Sequence, residues 1–292
     1  MSKWLALWSL AASPPPPPPP NLDAYTTSMF GCYGTSRLLT AYSGAALQVR
    51  RSSDNATQDI AFLSGGGLDT ASMLSFCGGG NGFVSIFYDQ SGNGKHLTQS
   101  TAAMQPQIVS SGSYLGHLAF DGSNDNLASP AFGTPTGLSL YMRSTQTTTN
   151  DGRLAVLDNG NVSQASCVFD YQHSTLGFRN ILATQAGANL VFGTYTGLSL
   201  SDHVRAIVSD ITQSTSAARL QLYLEGVSES GSFSTSGTIS TSDTFGAGLW
   251  GIGGDTDGSN ACIVNVVSCV IYEAAHNSTT VGAITTVLDN YS

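Results

Sequence analysis

Short alternating segments separated by turn clusters run through most of this chain and limit what it can fold into. In the segment ARLQLYLEG, Leu220, Leu222 and Leu224 point to one side of a strand, and the residues between them point to the other. Glu225-Gly226 then forms a turn. Many short strands with turns between them are typical of a two-sheet sandwich, so the pattern predicts an all-β fold.

A second strand is predicted in the segment GFVSIFYDQ. Its alternation places Val84, Ile86 and Tyr88 on the core face. Asp89 follows at the start of the turn cluster DQSGNG. We expect its carboxylate to hold this turn by accepting backbone hydrogen bonds.

Two acidic turn clusters allow a second interpretation. In DQSGNG, Asp89 and Asn93 have the oxygen ligands that calcium prefers, and Asp121, Asn124 and Asp125 in FDGSNDN have them too. Side chains of Asp and Asn also stabilise turns without any ion. We expect turn-stabilising hydrogen bonds at both places and no metal site.

Helical patterns are few. One is predicted at residues 68–77, with Asp69 as its N-cap and the run Gly78-Gly79-Gly80 at its end. Residues 36–42 are a second candidate. Residues 278–290 are a third, with apolar residues at helical spacing.

The N-terminal segment differs from the rest. Residues 1–13 are rich in large apolar side chains, and we expect Trp4, Leu5 and Trp8 to dock this peptide onto a partner protein. A cleavable signal peptide is the alternative. The seven prolines that follow form a polyproline rod of about 22 Å. The predicted division is a docking peptide at 1–13, a linker at 14–20 and one domain at 21–292.

Charge excludes some classes of partner. The net charge is -9, and only 10% of the residues are charged. Nucleic-acid phosphates need a basic surface, so we expect no nucleic-acid partner. An anionic membrane surface is disfavoured for the same reason.

Cysteines are odd in number and none are at C-x-x-C spacing, so a zinc site is not expected. We expect Cys32, Cys77, Cys167, Cys262 and Cys269 to be buried free thiols. Cys269 lies seven positions after Cys262, an odd offset, so one regular strand would turn them to opposite faces.

Several stretches resemble a known catalytic domain, that of fungal α-L-arabinofuranosidase B. They are TAYSGAALQVRRSSDNATQDIAF (40–62), GFVSIFYDQSGNGKHLTQ (82–99), RLAVLDNG with CVFDYQ (153–172) and, more weakly, GIGGDTDG (251–258). The same stretches, together with QPQIV and LAFDGSNDNL, are also similar to concanavalin-like domains of tailed-phage virion proteins. Both resemblances imply a concanavalin A-like or laminin-G-like two-sheet jelly-roll sandwich with a few short helices.

The resemblance to the hydrolase implies a role for the acid/base residue, but it does not match a nucleophile. It implies that Asp255, in the GIGGD motif, is the acid/base residue, and we expect Asp255 and Tyr171 to contact sugar. The family nucleophile is a strand glutamate, but the only glutamate in a clear strand before Asp255 is Glu225, in a generic hairpin. The family's adjacent cysteines are replaced by Cys167-Val168.

We therefore interpret the chain as a phage virion structural protein: a decoration, appendage or fibre on the virion surface. It would bind other virion proteins through its N-terminal peptide, self-associate, display the jelly roll to host or environmental glycans, and need no cofactor. Two alternatives remain. One is a secreted carbohydrate-binding module, and the other is an arabinofuranosidase-like glycoside hydrolase that uses Asp255.

Overall fold

The computed structural model describes most of the chain beyond residue 20. The described residues are 21–146, 152–158, 167–173, 177–183, 190–195, 201–236, 245 and 247–291. For 167–173 and 177–183 the description is limited to the backbone. The docking peptide with Trp4, Leu5 and Trp8, and the proline linker, lie outside the described residues.

Strands dominate the described part of the chain, as the sequence predicts. They are β1 (Met29–Gly34), β2 (Ala45–Arg51), β3 (Thr57–Ala61), β4 (Gly82–Phe87), β5 (Leu97–Thr98), β6 (Gln107–Ser110), β7 (Ser113–Asp121), β8 (Leu127–Ala131), β9 (Gly137–Gln146), β10 (Gly152–Asp158), β11 (Cys167–His173), β12 (Gly177–Ala183), β13 (Leu190–Tyr195), β14 (His203–Asp210), β15 (Leu220–Leu224), β16 (Val227–Ser228), β17 (Ser232–Ser236), β18 (Leu249–Ile252) and β19 (Ile263–Tyr272). The helices are α1 (Thr70–Cys77), α2 (Ser216–Arg219) and α3 (Ser278–Asp289), with short 3₁₀ turns at Asp23–Tyr25 and Ala102–Met104. No helix among the described residues is long and apolar enough to cross a membrane.

The strands form a β-sandwich, so the predicted all-β fold is confirmed. The first sheet has the order β16-β15-β14-β9-β19, and β1 and β7 pair end to end with the free edge of β19. The second sheet has the order β3-β2-β4-β5-β8-β18-β10-β11-β12-β13-β17. Strand β6 pairs with β4 and with β7, and therefore links the two sheets.

Alternation along β9 shows how the first sheet separates two apolar layers. Leu138, Leu140 and Met142 face the core between the sheets. Tyr141 faces the opposite side and packs in a second cluster with α3. Burial on both faces explains why this central strand is almost continuously buried.

Helix α3 covers part of the outer face of the first sheet. Val281, Ile284 and Leu288 are buried against it, and the Asn277 side chain accepts a hydrogen bond from the backbone N–H of Thr280. The helix predicted at 278–290 is therefore confirmed. Helix α1 also follows its prediction, with Asp69 accepting from Ser72 N at 3.0 Å.

The helix predicted at residues 36–42 is wrong. Backbone groups of this segment bond to distant parts of the chain: Arg37 N donates to Gly66 O, and Leu38 N donates to the Gln90 side chain. The Leu38 carbonyl accepts from Leu22 N. These long-range bonds use the groups that a helical turn would need.

The face predicted for β4 is partly wrong because the strand contains a bulge. Leu47 of β2 pairs with Phe87 and Val49 pairs with Val84, which leaves one extra residue on β4 between them. The bulge shifts the alternation, so Val84 and Phe87 are buried while Ile86 is only half-buried. Tyr88 is half-buried and its hydroxyl donates to Asp59.

The turn after β4 forms as expected. One carboxylate oxygen of Asp89 accepts from Cys32 N at 2.9 Å and Ser91 N at 2.8 Å, and the other accepts from Lys95 N at 3.0 Å. The carboxylate therefore ties the turn to β1. These backbone bonds are the turn-stabilising role that the sequence predicts for Asp89.

Four of the five cysteines are free and buried, as predicted: Cys32, Cys77, Cys262 and Cys269. Cys262 and Cys269 do not face opposite sides, as they would on one regular strand, because both belong to the core between the sheets. Strand β19 changes register between Val266 and Ser268, and this irregularity returns the later residues to the same face. The side chain of Cys167 lies outside the described residues.

Candidate active site around Asp255

A closed turn carries Asp255 from the end of β18 toward β19. Asp255 N donates to Ser259 O at 2.9 Å, and Gly258 N donates to Asp255 O at 2.9 Å. Cys262 N donates to Gly253 O at 2.7 Å and closes the base. Gly253 has φ of 82°, and a Cβ there would collide with the Phe120 ring, so the turn requires glycine at this position.

The Asp255 carboxylate is held on both oxygens. Oδ1 lies 2.5 Å from Nη1 of Arg153. Oδ2 accepts from Nδ2 of Asn260 at 2.8 Å and from Oγ of Ser259 at 3.1 Å. The side chains of Arg153 and Asp255 are 14% and 9% exposed. The carboxylate is thus fixed in one orientation, its charge is compensated, and only a narrow edge meets solvent.

A second set of polar groups holds the backbone of this turn. The Asn126 side chain is fully buried, and its Nδ2 donates to the Asp255 carbonyl at 2.7 Å. The amide of Gln99 donates to Oδ1 of Asn126. Side chains from β5 and β8 or their flanking loops therefore position a residue more than a hundred places later in the sequence.

Next to Asn126, Asp125 is a buried carboxyl group with altered acidity. Burial raises the pKa of Asp125 to about 7, and the nearby charge of Asp121 adds to the effect. A hydrogen bond from Asp121 N at 3.0 Å acts in the opposite direction. The FDGSNDN cluster therefore packs against the Asp255 turn and carries a carboxyl that is partly protonated near neutral pH.

A cavity of about 440 Å³ opens beside the turn. Thr256 lies on one side of it, and Gln99, Ser85 and the half-buried Ile86 lie on the others. Its volume falls within the range of ligand pockets in proteins. One residue of the Asp255 turn, Thr256, thus lines a small depression in which polar side chains alternate with apolar surface.

The backbone of Tyr171 lies beside that of Arg153, the residue that pairs with Asp255. In the β10–β11 ladder, Tyr171 pairs with Arg153, and Val168 pairs with Val156. The motif CVFDYQ therefore runs alongside the strand that supplies the partner of Asp255. The side chain of Tyr171 lies outside the described residues.

The structure gives Glu225 a structural role in the other sheet. It has φ of 51° and occupies the turn between β15 and β16. Its Oε1 accepts from Val204 N at 2.9 Å and lies 2.9 Å from Nδ1 of His203. The carboxylate is engaged by β14 of the first sheet, whereas Asp255 follows β18 of the second.

Sequence reasoning missed the partners of Asp255. Ser259 and Asn260 follow it at short spacing, which is a signal for side chains that close a turn. Arg153 and Asn126 carry no such local signal. Both come from distant segments and are brought to Asp255 by strand pairing alone.

Comparison with known proteins identifies the family. The family model for the catalytic region of α-L-arabinofuranosidase B matches residues 22–198, which is more than half of the chain. This chain belongs to that family. The match ends before β18, so Asp255 lies beyond the residues that the family model covers.

Curated relatives agree with the family model. A probable α-L-arabinofuranosidase B of Aspergillus flavus is 35% identical over 203 residues, which cover 60% of this chain and 38% of the relative. The α-L-arabinofuranosidase B of Aspergillus kawachii is 33% identical over 214 residues, covering 65% of this chain and 38% of the relative. The chain therefore matches well under half of the length of these enzymes.

Solved structures share the fold. A mutant GH54 α-L-arabinofuranosidase soaked with 4-nitrophenyl α-L-arabinofuranoside aligns with a TM-score of 0.58 at 18% identity, covering 90% of this chain and 62% of the other. A GH54 α-L-arabinofuranosidase soaked with a cyclic sulfate inhibitor aligns with a TM-score of 0.57 at 19% identity. This alignment covers 89% of this chain and 61% of the other. At this identity the comparison establishes the fold alone.

These findings correct the interpretation of the chain as a phage virion protein. The family model and the curated relatives are arabinofuranosidases, and the relatives come from fungi. The expected docking to other virion proteins, the adhesive role and the virion-surface location are wrong on the same grounds. The similarity to tailed-phage domains, which the same stretches indicated, has no support among these relatives.

Proposed function

We propose that this chain is a glycoside hydrolase domain that acts on α-L-arabinofuranosides, with Asp255 as its acid/base residue. The observation that carries the proposal is the fixed carboxylate of Asp255, next to the cavity that its neighbour Thr256 lines, in a chain of the α-L-arabinofuranosidase B family. In its protonated form Asp255 would donate a proton to the oxygen of the leaving group when the glycosidic bond breaks. The carboxylate that results, which is the form that Arg153 binds, would take a proton from the water that completes hydrolysis. A secreted location accompanies this proposal.

The charged partner of Asp255 supports this role by orientation. Arg153 binds one oxygen, and Asn260 and Ser259 bind the other, so the carboxyl cannot rotate freely. A general acid must lie within hydrogen-bond reach of the atom that it protonates. Fixing the group in advance removes the need to order it during the reaction.

A retaining mechanism needs a second carboxylate about 5–5.5 Å from the first. The family resemblance implies a strand glutamate for it, and the glutamates that precede Asp255 in this chain are Glu225 and Glu229. Glu225 is engaged by Val204 N and His203 of β14, so we assign the acid/base role alone.

Sugar binding without turnover is the second candidate function. One observation favours it: no glutamate precedes Glu225 in the sequence, although the resemblance implies a glutamate nucleophile in a strand. Asp255 would then accept hydrogen bonds from sugar hydroxyls. Binding of this kind needs hydrogen-bonding groups and a pocket but no second carboxylate poised for attack.

Release of 4-nitrophenol from 4-nitrophenyl α-L-arabinofuranoside tests the proposal. Asp255→Asn should lower the rate about 100-fold or more, because it removes general acid catalysis. Asp257→Asn is the matched control: this carboxylate lies in the same turn, is exposed, and accepts a hydrogen bond from Ser259 N at 2.8 Å. Its rate should stay close to that of the unmodified chain.

Two results would overturn the hydrolase proposal. One is an equal rate in Asp255→Asn and in the unmodified chain. The other is a complete lack of 4-nitrophenol release from the folded, unmodified chain. In the second case, equilibrium titration of the same sample with L-arabinose would decide whether sugar binding without turnover holds.

A further inference from the structure

A second cavity, of about 360 Å³, lies on the first sheet, away from Asp255. Its floor is formed by Thr145 of β9 and Asn265 of β19, which pair directly across the two strands. His117 of β7 borders it on one side, and Thr70 at the start of α1 borders it on another. Helix α3 leaves this part of the outer face uncovered.

The topology of the sheet explains why a depression forms here. Strand β7 pairs with β19 from Ile263 to Val266, and β1 pairs with β19 from Ser268 to Tyr272. Between these two points β19 is irregular, and the residues after β1 and at the start of β7 separate. A gap therefore opens in the edge of the sheet, between Thr35 and His117.

Polar side chains in this cavity have unused hydrogen-bonding capacity. Within the part of the chain that the structure describes, no hydrogen bond joins the side chain of His117, Thr145 or Asn265 to another residue. All three are half-buried. These three side chains therefore keep donors and acceptors that a ligand in the cavity can use.

The charges around the cavity balance. Arg143 borders it with 8% exposure, but Nε and Nη2 bind the Asp202 carboxylate, with the Nη2 bond at 2.7 Å. Its Nη1 donates to the carbonyls of Asp289 at 2.9 Å and Tyr291 at 2.7 Å, at the end of α3. The guanidinium is therefore committed to the fold and to Asp202, which disfavours an anionic ligand.

Burial lowers the pKa of His117 below its ordinary value, while the charge of Asp202 acts in the opposite direction. The imidazole is then neutral at pH 7 and presents one donor and one acceptor. Asn265 adds two donors and one acceptor, and the hydroxyl of Thr145 can act as either. Tyr114 contributes an aromatic surface at the rim.

We propose that this cavity is a second binding site, for a neutral saccharide of one or two units. The hydroxyl groups of a sugar are donors and acceptors without charge, and they match the lining of His117, Thr145 and Asn265. The volume of about 360 Å³ lies within the usual range for small-ligand pockets. The inference rests on this cavity and is independent of hydrolysis at Asp255.

The test is calorimetric titration of the full chain with xylobiose and with 1,5-α-L-arabinobiose. Asn265→Ala should weaken the binding of at least one of them about tenfold, because one good hydrogen bond is lost. Thr70→Trp, which fills the cavity from its rim, should abolish that binding. Thermal unfolding of both variants checks that the fold is retained, so a folding failure in one leaves the other as the test.

Asp255→Asn separates this site from the proposed active site. Binding that survives Asp255→Asn and is lost in Thr70→Trp supports the second site, even if the chain hydrolyses nothing. Affinity that is unchanged in both Asn265→Ala and Thr70→Trp overturns it. A lack of binding of both disaccharides to the unmodified chain at millimolar concentration overturns it as well.

Discussion

Nη1 of Arg153 lies 2.5 Å from Oδ1 of Asp255, and this ion pair joins β10 to the turn after β18. Both side chains are largely withdrawn from water. In such an environment the attraction between two charges is stronger than at the surface, and an unpaired charge is costly. The pair therefore bears both on the stability of the turn and on the position of the proposed acid/base group.

We expect Arg153→Met to destabilise the protein by about 3 kcal/mol, because it leaves the Asp255 carboxylate buried without its cation. The free energy of unfolding from urea denaturation measures this. Combining it with Asp255→Asn should be less harmful than the sum of the single changes, since the neutral amide no longer needs the cation. Strict additivity of the two changes would contradict a direct ion pair.

Glu225→Gln should leave hydrolysis of an aryl arabinofuranoside unchanged, because this carboxylate serves the β15–β16 turn. Stability should fall by about 1 kcal/mol, since the bonds to Val204 N and His203 become weaker when the acceptor loses its charge. Rate measurements and denaturation on the same sample separate the two effects. A large loss of rate without a loss of stability would show that Glu225 takes part in the chemistry.

Asp125→Asn should change how stability depends on pH. The pKa of Asp125 in the folded protein, about 7, lies above that of an unfolded aspartate, about 3.9. Folding therefore favours the protonated form, and this contribution is complete below about pH 4 and is lost as the pH rises toward 7. The variant, which is always neutral, should lose less stability across that interval.

Asp257→Asn is the control for this pH dependence. Hydrogen bonds to Ser259 lower the pKa of Asp257, so its contribution is present above the ordinary pKa of an aspartate and is lost only in more acidic solution. Between pH 5 and 7 its curve should run parallel to that of the unmodified chain. A curve for Asp125→Asn that is also parallel would mean that the Asp125 carboxyl is ionised throughout this interval.

The bulge in β4 makes a prediction about two adjacent residues. Phe87 is 1% exposed in the main core, whereas Ile86 is half-buried on the wall of the cavity beside Asp255. Phe87→Ala should cost about 3–5 kcal/mol, and Ile86→Ala clearly less. Equal losses in urea denaturation would argue for a regular strand without the bulge.

Local chemistry made much of the fold predictable. The period-two segments, the N-cap of α1 at Asp69, the helix after Asn277 and the Asp89 turn all depend on residues close together in sequence. The family resemblance also pointed to Asp255. Its neighbours Ser259 and Asn260 are within a few residues, where turn-forming side chains can be recognised.

Pairing over long distances was decided only in the tertiary structure. The irregularity in β19 places Cys262 and Cys269 in the same core, and the bulge in β4 buries Phe87 in the core instead of Ile86. Both irregularities depend on the register of a partner strand. The same is true of Arg153, which reaches Asp255 only when β10 pairs with β18. Sequence alone determined which strands and turns could form, while packing of the two sheets determined which side chains meet, since a shift of one residue reverses every face.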